Sequence, residues 1–540
     1  MATPDFEAHC KRSDAAWSAK APWVGIYKSV YDYMMPFRQP KQGAEGGPRI
    51  DHLFDETGVN STFRGAGQLQ QDLFPPGHAL FALEPGALPK IMAERARAGG
   101  DAAAAAEAER FARELGNISE QIRPFFQAGD WDNSVAEFCL DLFAGTGVML
   151  ILEGDSARPV RFVTLPFEEV ALEPGPYGDV SALFWKTKMS RRAIKAAFPK
   201  GDFPDQFTDG LASDAEAEVE LRQDFVADGK KWLLRVWVEK SERPVVTQSY
   251  RTRPFIAARY YRVPGETYGR GPAMLGLPSA RTLNKVMEIT LKAAAIQMLG
   301  IWGYRPGGAF NPDTARLAPG QFWPMQATGG VMGPDVTRLD AAAGRIDVAN
   351  IVLQELRTQL QAALHDERLP EGGATPRSAT EVMARMSKVK ANYVGAFGRM
   401  VNEIMPYVVP RVMELLYRRA LIASEIKIDQ LLVAVRVVSP LAQSLKADEH
   451  KMTIDAAQLV AALEGPQAVA RRFKLDEMVP DLLREIGVKP AHVRASDELA
   501  AYDKQASAQM QAQAVMQAAL DKPDKMAAAL SPQGGPNGQG

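Results

Sequence analysis

A glycine-rich turn at Gly145-Thr146-Gly147 is the stretch that most resembles a phosphate-binding loop. Such loops follow the pattern G-x-x-x-x-G-K-[ST], in which backbone amides and a lysine hold the nucleotide phosphates. Gly147 is followed by Val148 and not by a lysine, and the full pattern does not occur in the sequence. The turn is therefore predicted to serve a tight change of direction or helix packing, and a nucleotide site is disfavoured.

Metal chemistry and nucleophilic catalysis also lack a candidate. The six histidines are scattered without an H-E-x-x-H pattern, and Cys10 and Cys139 stand too far apart for a metal or redox motif. There is no G-x-S-x-G nucleophile elbow, and the carboxylate pair Glu168-Glu169 lies in a polar stretch typical of solvated surface. We therefore predict a protein that is not an enzyme and needs no cofactor.

Basic residues are the remaining candidates for a functional site, because they could bind the phosphates of a nucleic acid. One group lies on a predicted helix face, at Arg281, Lys285 and Lys292. A second group flanks or follows a glycine-containing loop and comprises Arg368, Arg377, Arg385 and Lys388. Taken alone, such residues are more often a solvated face than a nucleic-acid site. The 63 basic and 65 acidic residues give a net charge of -2, which excludes a protein that coats DNA through bulk charge.

The bulk composition is that of a globular chain with several modules. Its 540 residues far exceed the roughly 100 to 200 of one domain, and 46% of them are hydrophobic. The two cysteines fit a reducing compartment. Asp5, Glu7 and His9 precede any apolar run, so no signal peptide is predicted. The longest uncharged apolar stretch, Leu142 to Leu152, is too short to cross a membrane.

The elements that would position these residues change in type along the chain. The first 150 residues have mainly helical patterns. Residues 159–263 are rich in β-branched and aromatic residues separated by Gly, Asp and Pro, which predicts a strand-rich module. Within it, Gly175 to Asp179 is predicted to be a hairpin loop and Asp228-Gly229 a tight turn. The predicted fold class is α+β and mainly helical.

The helical period returns at Leu277 and continues to residue 299. Apolar side chains share one stripe of this helix, and charged side chains lie opposite. The apolar stripe comprises Leu283, Met287, Leu291, Ala294 and Met298. The charged side comprises Arg281, Lys285, Glu288 and Lys292. A second amphipathic helix is predicted from Val348 to His365, and its apolar side comprises Val352, Leu356, Leu360 and Leu364.

The segment between these two helices, Gly300 to Gly344, is rich in Gly and Pro but too apolar for a linker. Its aromatic residues are Trp302, Tyr304, Phe310, Phe322 and Trp323. Because Trp and Tyr dominate buried contacts between partners, these side chains are candidate interface anchors. Together the two helices and this compact segment predict a two-legged projection.

Beyond the projection, Pro370, Gly372, Gly373 and Pro376 predict a loop over Glu367 to Arg377. Ser378 and Glu381 have capping-box spacing and open a long helix, which Pro406 and Pro410 are expected to kink or interrupt before about Leu421. The run from Leu431 to Val438 is strand-like, and two or three helices are predicted between Leu441 and Leu499. The last 40 residues, which end in a Gly/Pro/Gln-rich tract, are expected to be disordered.

Four stretches, in this order, resemble the head-to-tail connector family of short-tailed double-stranded DNA bacteriophages. Residues 61–78 (STFRGAGQLQQDLFPPGH) look like the family's early helix, and residues 133–152 resemble its wing helix and Gly-Thr turn. Residues 260–271 (YYRVPGETYGRG) resemble its most specific signature, and residues 377–381 (RSATE) its Ser/Thr-Ala-x-Glu helix opening. The resemblance runs with gaps from about residue 17 to 500. The Ala-rich stretch from Pro85 to Asn117 and the chain after 500 depart from it.

The resemblance implies a portal fold with wing, stem, clip and crown regions. The implied regions are a wing (1–276), stem helices (277–299 and 347–366), a clip (300–346), a channel loop (367–379), a long wing helix (380–421), a crown (422–498) and a flexible tail (499–540). By this analogy the DNA-channel candidates are Arg281, Lys285, Lys292, Arg368, Gly372, Gly373, Arg377, Arg385 and Lys388.

The same resemblance implies a function. Twelve subunits would form a ring around double-stranded DNA at one capsid vertex, after assembly in the host cytoplasm. The implied partners are the terminase large subunit, tail adaptor proteins, and the major capsid and scaffold proteins, with no membrane contact. Two alternatives stay open: an enzyme of unrecognised type that uses the module at 159–263 as its substrate domain, and a capsid scaffold that forms no channel. An apolar pocket with convergent polar groups in that module would favour the enzyme.

Overall fold

The structure is a computed structural model, and it describes most of the chain. The described residues are 4–38, 52–78, 80–99, 101–239, 241–299, 301–304, 313, 336–339, 346–366, 400, 403–422, 428, 431–438, 440–486, 492–494 and 496–521. They divide into two compact units. The first contains Met1–Phe81, Gln121–Ile428 and Val435–Leu441, and the second contains Ala82–Glu120, Asp429–Ala434 and Ala442–Gly540.

Helices and antiparallel sheets both contribute, which confirms the predicted α+β class. The helices are α1 (Pro4–Met34), α2 (Thr57–Leu73), α3 (Ala87–Ala98), α4 (Ala102–Ala128), α5 (Trp131–Ala144), α6 (Arg191–Ala197), α7 (Asp205–Ser213), α8 (Pro272–Leu299), α9 (Ile346–Ala363), α10 (403–418), α11 (Pro440–Glu464), α12 (Pro466–Arg472), α13 (Leu475–Ile486) and α14 (Ser496–Asp521). The strands are β1 (Phe81–Pro85), β2 (Thr146–Glu153), β3 (Val160–Leu165), β4 (Val170–Pro174), β5 (Val180–Ser190), β6 (Glu218–Asp228), β7 (Lys231–Val238), β8 (Val246–Tyr250), β9 (Phe255–Arg259), β10 (Ile301–Tyr304), β11 (Val336–Leu339) and β12 (Val433–Val437).

The predicted strand-rich module is confirmed. Strands β4 to β8 form a five-stranded sheet in sequence order, and every neighbouring pair is antiparallel. The loop at Gly175 to Asp179 joins β4 and β5, since the Gly175 amide donates to the Asp179 carbonyl at 2.7 Å. Gly229, with φ of 58°, forms the tight turn between β6 and β7. This left-handed conformation favours glycine, as the Asp-Gly sequence predicted.

The first 150 residues are mainly helical, as predicted, and a second sheet begins at their end. In it, β2 lies between β3 and β9, antiparallel to both. Val148, Leu150 and Ile151 are all fully buried, so the strand is apolar on both faces. A short continuous apolar run has neither helical nor strand alternation, which is why its type could not be assigned from periodicity. A short strand, β1, also pairs with β12 in a two-stranded sheet.

Helix α1 runs through the first unit and carries a buried lysine. Lys20 is almost completely buried, and its ammonium donates to the carbonyl oxygens of Phe167 and, at 3.0 Å, of Glu168. The ammonium also lies 4.8 Å from the centre of the Trp17 ring and 4.4 Å from that of Phe167. Burial lowers the pKa of Lys20 to about 7, since the charged form is poorly solvated there.

This lysine predicts an unusual dependence of stability on pH. Between pH 7 and 10.5 the unfolded chain binds more protons at Lys20 than the folded chain, so the free energy of unfolding rises with pH. From about pH 7 to about pH 9.5, the free energy of unfolding of the wild type should rise by about 3 kcal/mol more than that of Lys20→Met. Urea denaturation followed by tryptophan fluorescence measures it. Lys11→Met, at an exposed position of the same helix, should keep the wild-type slope. Equal slopes for the wild type and Lys20→Met would contradict the assignment.

The second unit contains mostly helices. Ser119 of α4 accepts a hydrogen bond from the Leu83 amide and donates to the Leu115 carbonyl, both at 2.9 Å. In α11 the large apolar residues Met452, Leu459 and Leu463 are exposed. The strand at β12 and the helices α11 to α13 confirm the predicted order of elements in this part of the chain.

Two expectations about helices need correction. A kink or an interruption was predicted at Pro406 and Pro410, and the interruption does not occur: α10 is continuous, and its Val408, Val409 and Val412 are fully buried. Packing of these valines therefore maintains the helix despite the lost backbone hydrogen bonds. The tail is helical as far as Asp521, because its Ala, Gln and Met residues have high helix propensity. The terminal Gly/Pro/Gln-rich tract lies outside the described residues.

Candidate functional site

Helices α8 and α9 pack against each other. Their bounds, Pro272–Leu299 and Ile346–Ala363, lie close to the predicted 277–299 and 348–365. Between the two helices, strand β10 follows α8 and strand β11 precedes α9. These strands form an antiparallel pair, from Ile301↔Leu339 to Tyr304↔Val336. The structure therefore confirms a helical hairpin, here called the α8–α9 hairpin.

The root of this hairpin is embedded in the first unit. Leu283 of α8 and Leu353, Leu360 and Leu364 at α9 are buried. Gly276 allows the close approach, since an added Cβ would lie 3.1 Å from Leu360 Cδ1 and 3.3 Å from Met34 Cε. Removing this apolar surface from water is the main force that fixes the legs to the body.

The Gly145-Thr146-Gly147 turn and the 260–271 signature meet directly beside this root. The Gly269 amide donates to the buried Thr146 hydroxyl at 2.8 Å, and the Tyr27 hydroxyl lies 2.9 Å from the same oxygen. A Cβ on Gly145 would lie 2.4 Å from the Gly269 carbonyl oxygen, so only glycine permits the crossing. The turn therefore serves close packing against the 260–271 stretch, as predicted.

The predicted basic stripe of α8 lies on the exposed side of the helix. Glu288 accepts hydrogen bonds from Lys285 at 2.8 Å and from Lys292 at 2.5 Å. These two ammonium groups lower the pKa of Glu288 to about 2, so the carboxylate stays ionised. The Arg281 guanidinium lies 5.6 Å from the centre of the Tyr33 ring. The stripe therefore carries two net positive charges and not three.

The apolar stripes are buried at the root and exposed farther along both legs. Ile289 and Leu291 of α8 are 56% and 47% exposed, and Ile351 and Val352 of α9 are 68% and 44% exposed. Leu291 and Val352 belong to the stripes that were predicted to pack, and within one subunit they remain accessible. Ile289 lies four positions from Lys285 and three from Lys292, so it is exposed beside the charged side of α8, whereas Leu291 is exposed on the apolar stripe.

The remaining predicted residues divide into those with a described backbone and those without a description. Trp302 and Tyr304 lie in β10, and Tyr304 is half exposed. The others lie outside the described residues: Phe310, Phe322, Trp323, Arg368, Gly372, Gly373, Arg377, Arg385 and Lys388. Their roles stay predictions.

Sequence reasoning missed the polar contacts that tie α9 to the segment before α2 and to α2 itself. Arg357 donates to Asp55 at 2.7 Å, and the Asp366 carboxylate accepts from Ser61 at 2.6 Å and pairs with Arg64 at 2.8 Å. The spacing of Ser61 and Arg64 places both on one face of α2, and the sequence could have shown this. Their partner Asp366 lies 305 positions from Ser61, and no local pattern predicts that contact. Arg64 and Arg357 also line a cleft of about 360 Å³ between α2, α8 and α9.

The residues that the structure describes contain neither a metal-binding cluster nor a membrane-spanning helix. No group of three or more His, Cys, Asp or Glu side chains in this part of the chain could hold a metal ion. Within the same residues, none of the helices has the length and apolar character needed to cross a membrane.

Comparison with known proteins places the chain in a family. Residues 7–493 match the family described as bacteriophage head to tail connecting protein. A comparison with curated proteins finds no match. Among solved structures, the chain is similar to one described as "Virion of native gene transfer agent (GTA) particle", with 11% sequence identity and a TM-score of 0.34. That similarity covers 82% of this chain and 99% of the other. Because the family match spans nearly the whole chain, the protein belongs to the bacteriophage head-to-tail connecting proteins, which are structural components of the phage particle.

Proposed function

We propose that the chain is a portal subunit. Twelve copies form a ring around a DNA channel at one capsid vertex, dock the terminase during packaging, bind tail adaptors, and pass DNA on ejection. The ring assembles in the host cytoplasm together with the major capsid and scaffold proteins. ATP hydrolysis belongs to the terminase. The family match supports the connector role, and the finer points rest on the hairpin described above.

The exposed part of the α8–α9 hairpin is the observation that carries this proposal. A hairpin that served only one globule would bury its apolar residues within that globule, yet Ile289, Leu291, Ile351 and Val352 stay accessible. Identical copies related by a rotation axis can cover such a surface through one repeated contact. We assign 277–299 and 347–366 to the stem, 300–346 to the clip, 1–276 to the wing and 422–498 to the crown.

The charge of the hairpin also suits a conduit. Each firm phosphate contact by Lys or Arg adds affinity through counterion release, so a channel that passes DNA needs few of them. Glu288 forms ion pairs with both Lys285 and Lys292, which lowers the affinity of these two lysines for phosphate. The near-neutral net charge of -2 fits the same requirement.

A prediction concerns the proposed channel loop at 367–379. Replacing Gly372 and Gly373 together by leucine is expected to leave most particles without a retained genome, since bulky side chains would obstruct or reshape the channel. Rings should still form. Counting DNA-filled and empty particles by electron microscopy measures the effect. The matched control is Gly25→Leu, at an exposed position of α1 with open space around it. Normal packaging by the double variant would remove the channel role from this loop.

The mass of the purified protein in solution tests the proposal as a whole. Native mass spectrometry should find an assembly close to twelve times the 58.9 kDa subunit, and negative-stain images should show a central hole. Compact monomers would favour the enzyme alternative, and rods the non-channel scaffold. Either result would contradict the portal assignment.

A further inference from the structure

The loop between β4 and β5 presents Tyr177 to solvent. This side chain is 90% exposed, more than any other large apolar or aromatic side chain in the described part of the chain. Hydrogen bonds hold the backbone behind it: the Gly178 amide donates to the Gly175 carbonyl at 3.0 Å, and Arg262 Nη2 donates to the Tyr177 carbonyl at 2.9 Å. A tyrosine on a fixed backbone makes a large contact at little cost in conformational entropy. Tyr177 therefore has the properties of an interface anchor.

The cleft between α2, α8 and α9 has room for one such side chain. Its volume of about 360 Å³ lies near the lower end of the range, roughly 300 to 1,000 Å³, of pockets that hold small organic groups. Phe54 and Met287 contribute apolar surface to its lining, and Asn60 and Gln361 contribute amide groups. Such a lining suits an aromatic ring that carries a hydroxyl group.

The charges of the cleft decide which kind of group it would accept. Arg64 and Arg357 contribute two positive charges to the lining. Asp55 and Glu56 contribute two negative charges, so the net charge is zero. The acids disfavour a phosphate or a carboxylate, and the arginines disfavour an ammonium group. A neutral phenol avoids both penalties, and its ring can lie against the guanidinium groups, which are 45% and 38% exposed.

Tyr177 and the cleft are two different surfaces of the first unit. A closed ring of identical copies needs such a pair, because each copy then offers one surface to one neighbour and the second surface to the other neighbour. We propose that Tyr177 of one copy inserts into the α2–α8–α9 cleft of the next copy. This inference rests on the proposed function, since the ring comes from there. It adds a contact between copies that is separate from the exposed aliphatic residues of the α8–α9 hairpin.

Photo-crosslinking of the purified ring tests this contact. Replacing Tyr177 by p-benzoylphenylalanine keeps an aromatic ring and puts the photoreactive ketone at the end that would enter the cleft. Illumination should join each copy to the next, so denaturing gels should show dimers and a ladder of larger species. Mass spectrometry should place the adducts on Met287 or on residues 54–64. The matched control carries the same amino acid at Tyr417, which is 40% exposed in α10, and should give no adduct in the cleft.

Dissociation of the ring after dilution measures the strength of the contact. Tyr177→Ala rings should dissociate about tenfold faster than wild-type rings, since a buried aromatic anchor is lost at every interface. Tyr177→Phe keeps the aromatic ring and should stay close to the wild type. Asn60→Trp should also accelerate dissociation, because its indole would fill the cleft. Adding Tyr177→Ala to Asn60→Trp should have little further effect, because both changes remove the same contact.

Intact rings without adducts in the cleft would overturn the inference, as would wild-type dissociation rates for Tyr177→Ala. Adducts that join Tyr177 positions of two copies would indicate a two-fold contact and would overturn it as well. Each of these results leaves the proposed function standing. Wild-type protein that forms no rings would instead contradict the proposed function together with this contact, so the two failures are distinguishable.

Discussion

Replacing Ile351 by aspartate is expected to convert the ring into monomers while the subunit stays folded. Ile351 is 68% exposed in the subunit and adjoins the half-exposed Val352. In the proposed ring this side chain packs against the neighbouring hairpin, where a carboxylate would lose its water without gaining a partner. Because every interface of a cyclic ring is identical, the penalty recurs at each one. Native mass spectrometry should find the 58.9 kDa subunit as the main species.

The conservative variant Ile351→Met provides the control for this experiment. It keeps a flexible apolar side chain of similar volume, so rings should form as in the wild type. Circular dichroism and the unfolding midpoint verify that the aspartate variant retains its fold, which an exposed position should allow. Rings of wild-type abundance from Ile351→Asp would show that this part of α9 does not pack against another copy.

Gly271→Ala is expected to lower the free energy of unfolding by about 3 kcal/mol or more. A Cβ at this position would lie 2.1 Å from the Phe143 carbonyl oxygen and 2.6 Å from the Ala144 carbonyl carbon. Both are backbone atoms, so neither can rotate away as a side chain would. The residue precedes Pro272, where α8 begins, and a displacement there moves the root of the hairpin. Urea denaturation of the purified protein measures the loss.

Gly67→Ala is the matched control for this substitution. Gly67 lies in α2 with no atom within 4 Å of an added Cβ, so alanine should stabilise the helix by up to about 1 kcal/mol. The same change in side chain should thus have opposite signs at the two positions. Equal stability of Gly271→Ala and the wild type would contradict the close backbone crossing.

The local elements were predictable from the sequence where the hydrophobic period was strong. The four-residue spacing of Leu283, Met287 and Leu291 predicted α8, and the Gly and Asp residues at 175–179 and 228–229 predicted a hairpin loop and a tight turn. These signals depend on neighbouring residues alone. The chain order of helices and strand-rich module followed from them.

The features that could not be predicted from the sequence all depend on residues distant in the chain. The type of β2 is set by its position between β3 and β9, and the persistence of α10 past Pro410 is set by burial of its valines. The partners of Thr146 come from Tyr27 and Gly269, which no spacing rule connects. Tertiary contacts override local propensity at such positions. The resemblance pointed to the family that the comparison shows, without explaining why the residues that carry it are needed.

In the proposed ring, the α8–α9 hairpins of neighbouring copies pack side by side around a hollow axis. A cryo-electron microscopy map of the purified assembly would show whether they do. We predict a closed ring in which Ile289 and Ile351 of each subunit contact the hairpin of the next subunit, with Lys285 and Lys292 facing the central opening. A map in which the hairpins point outward from the ring, or in which these isoleucines contact only their own subunit, would contradict the account.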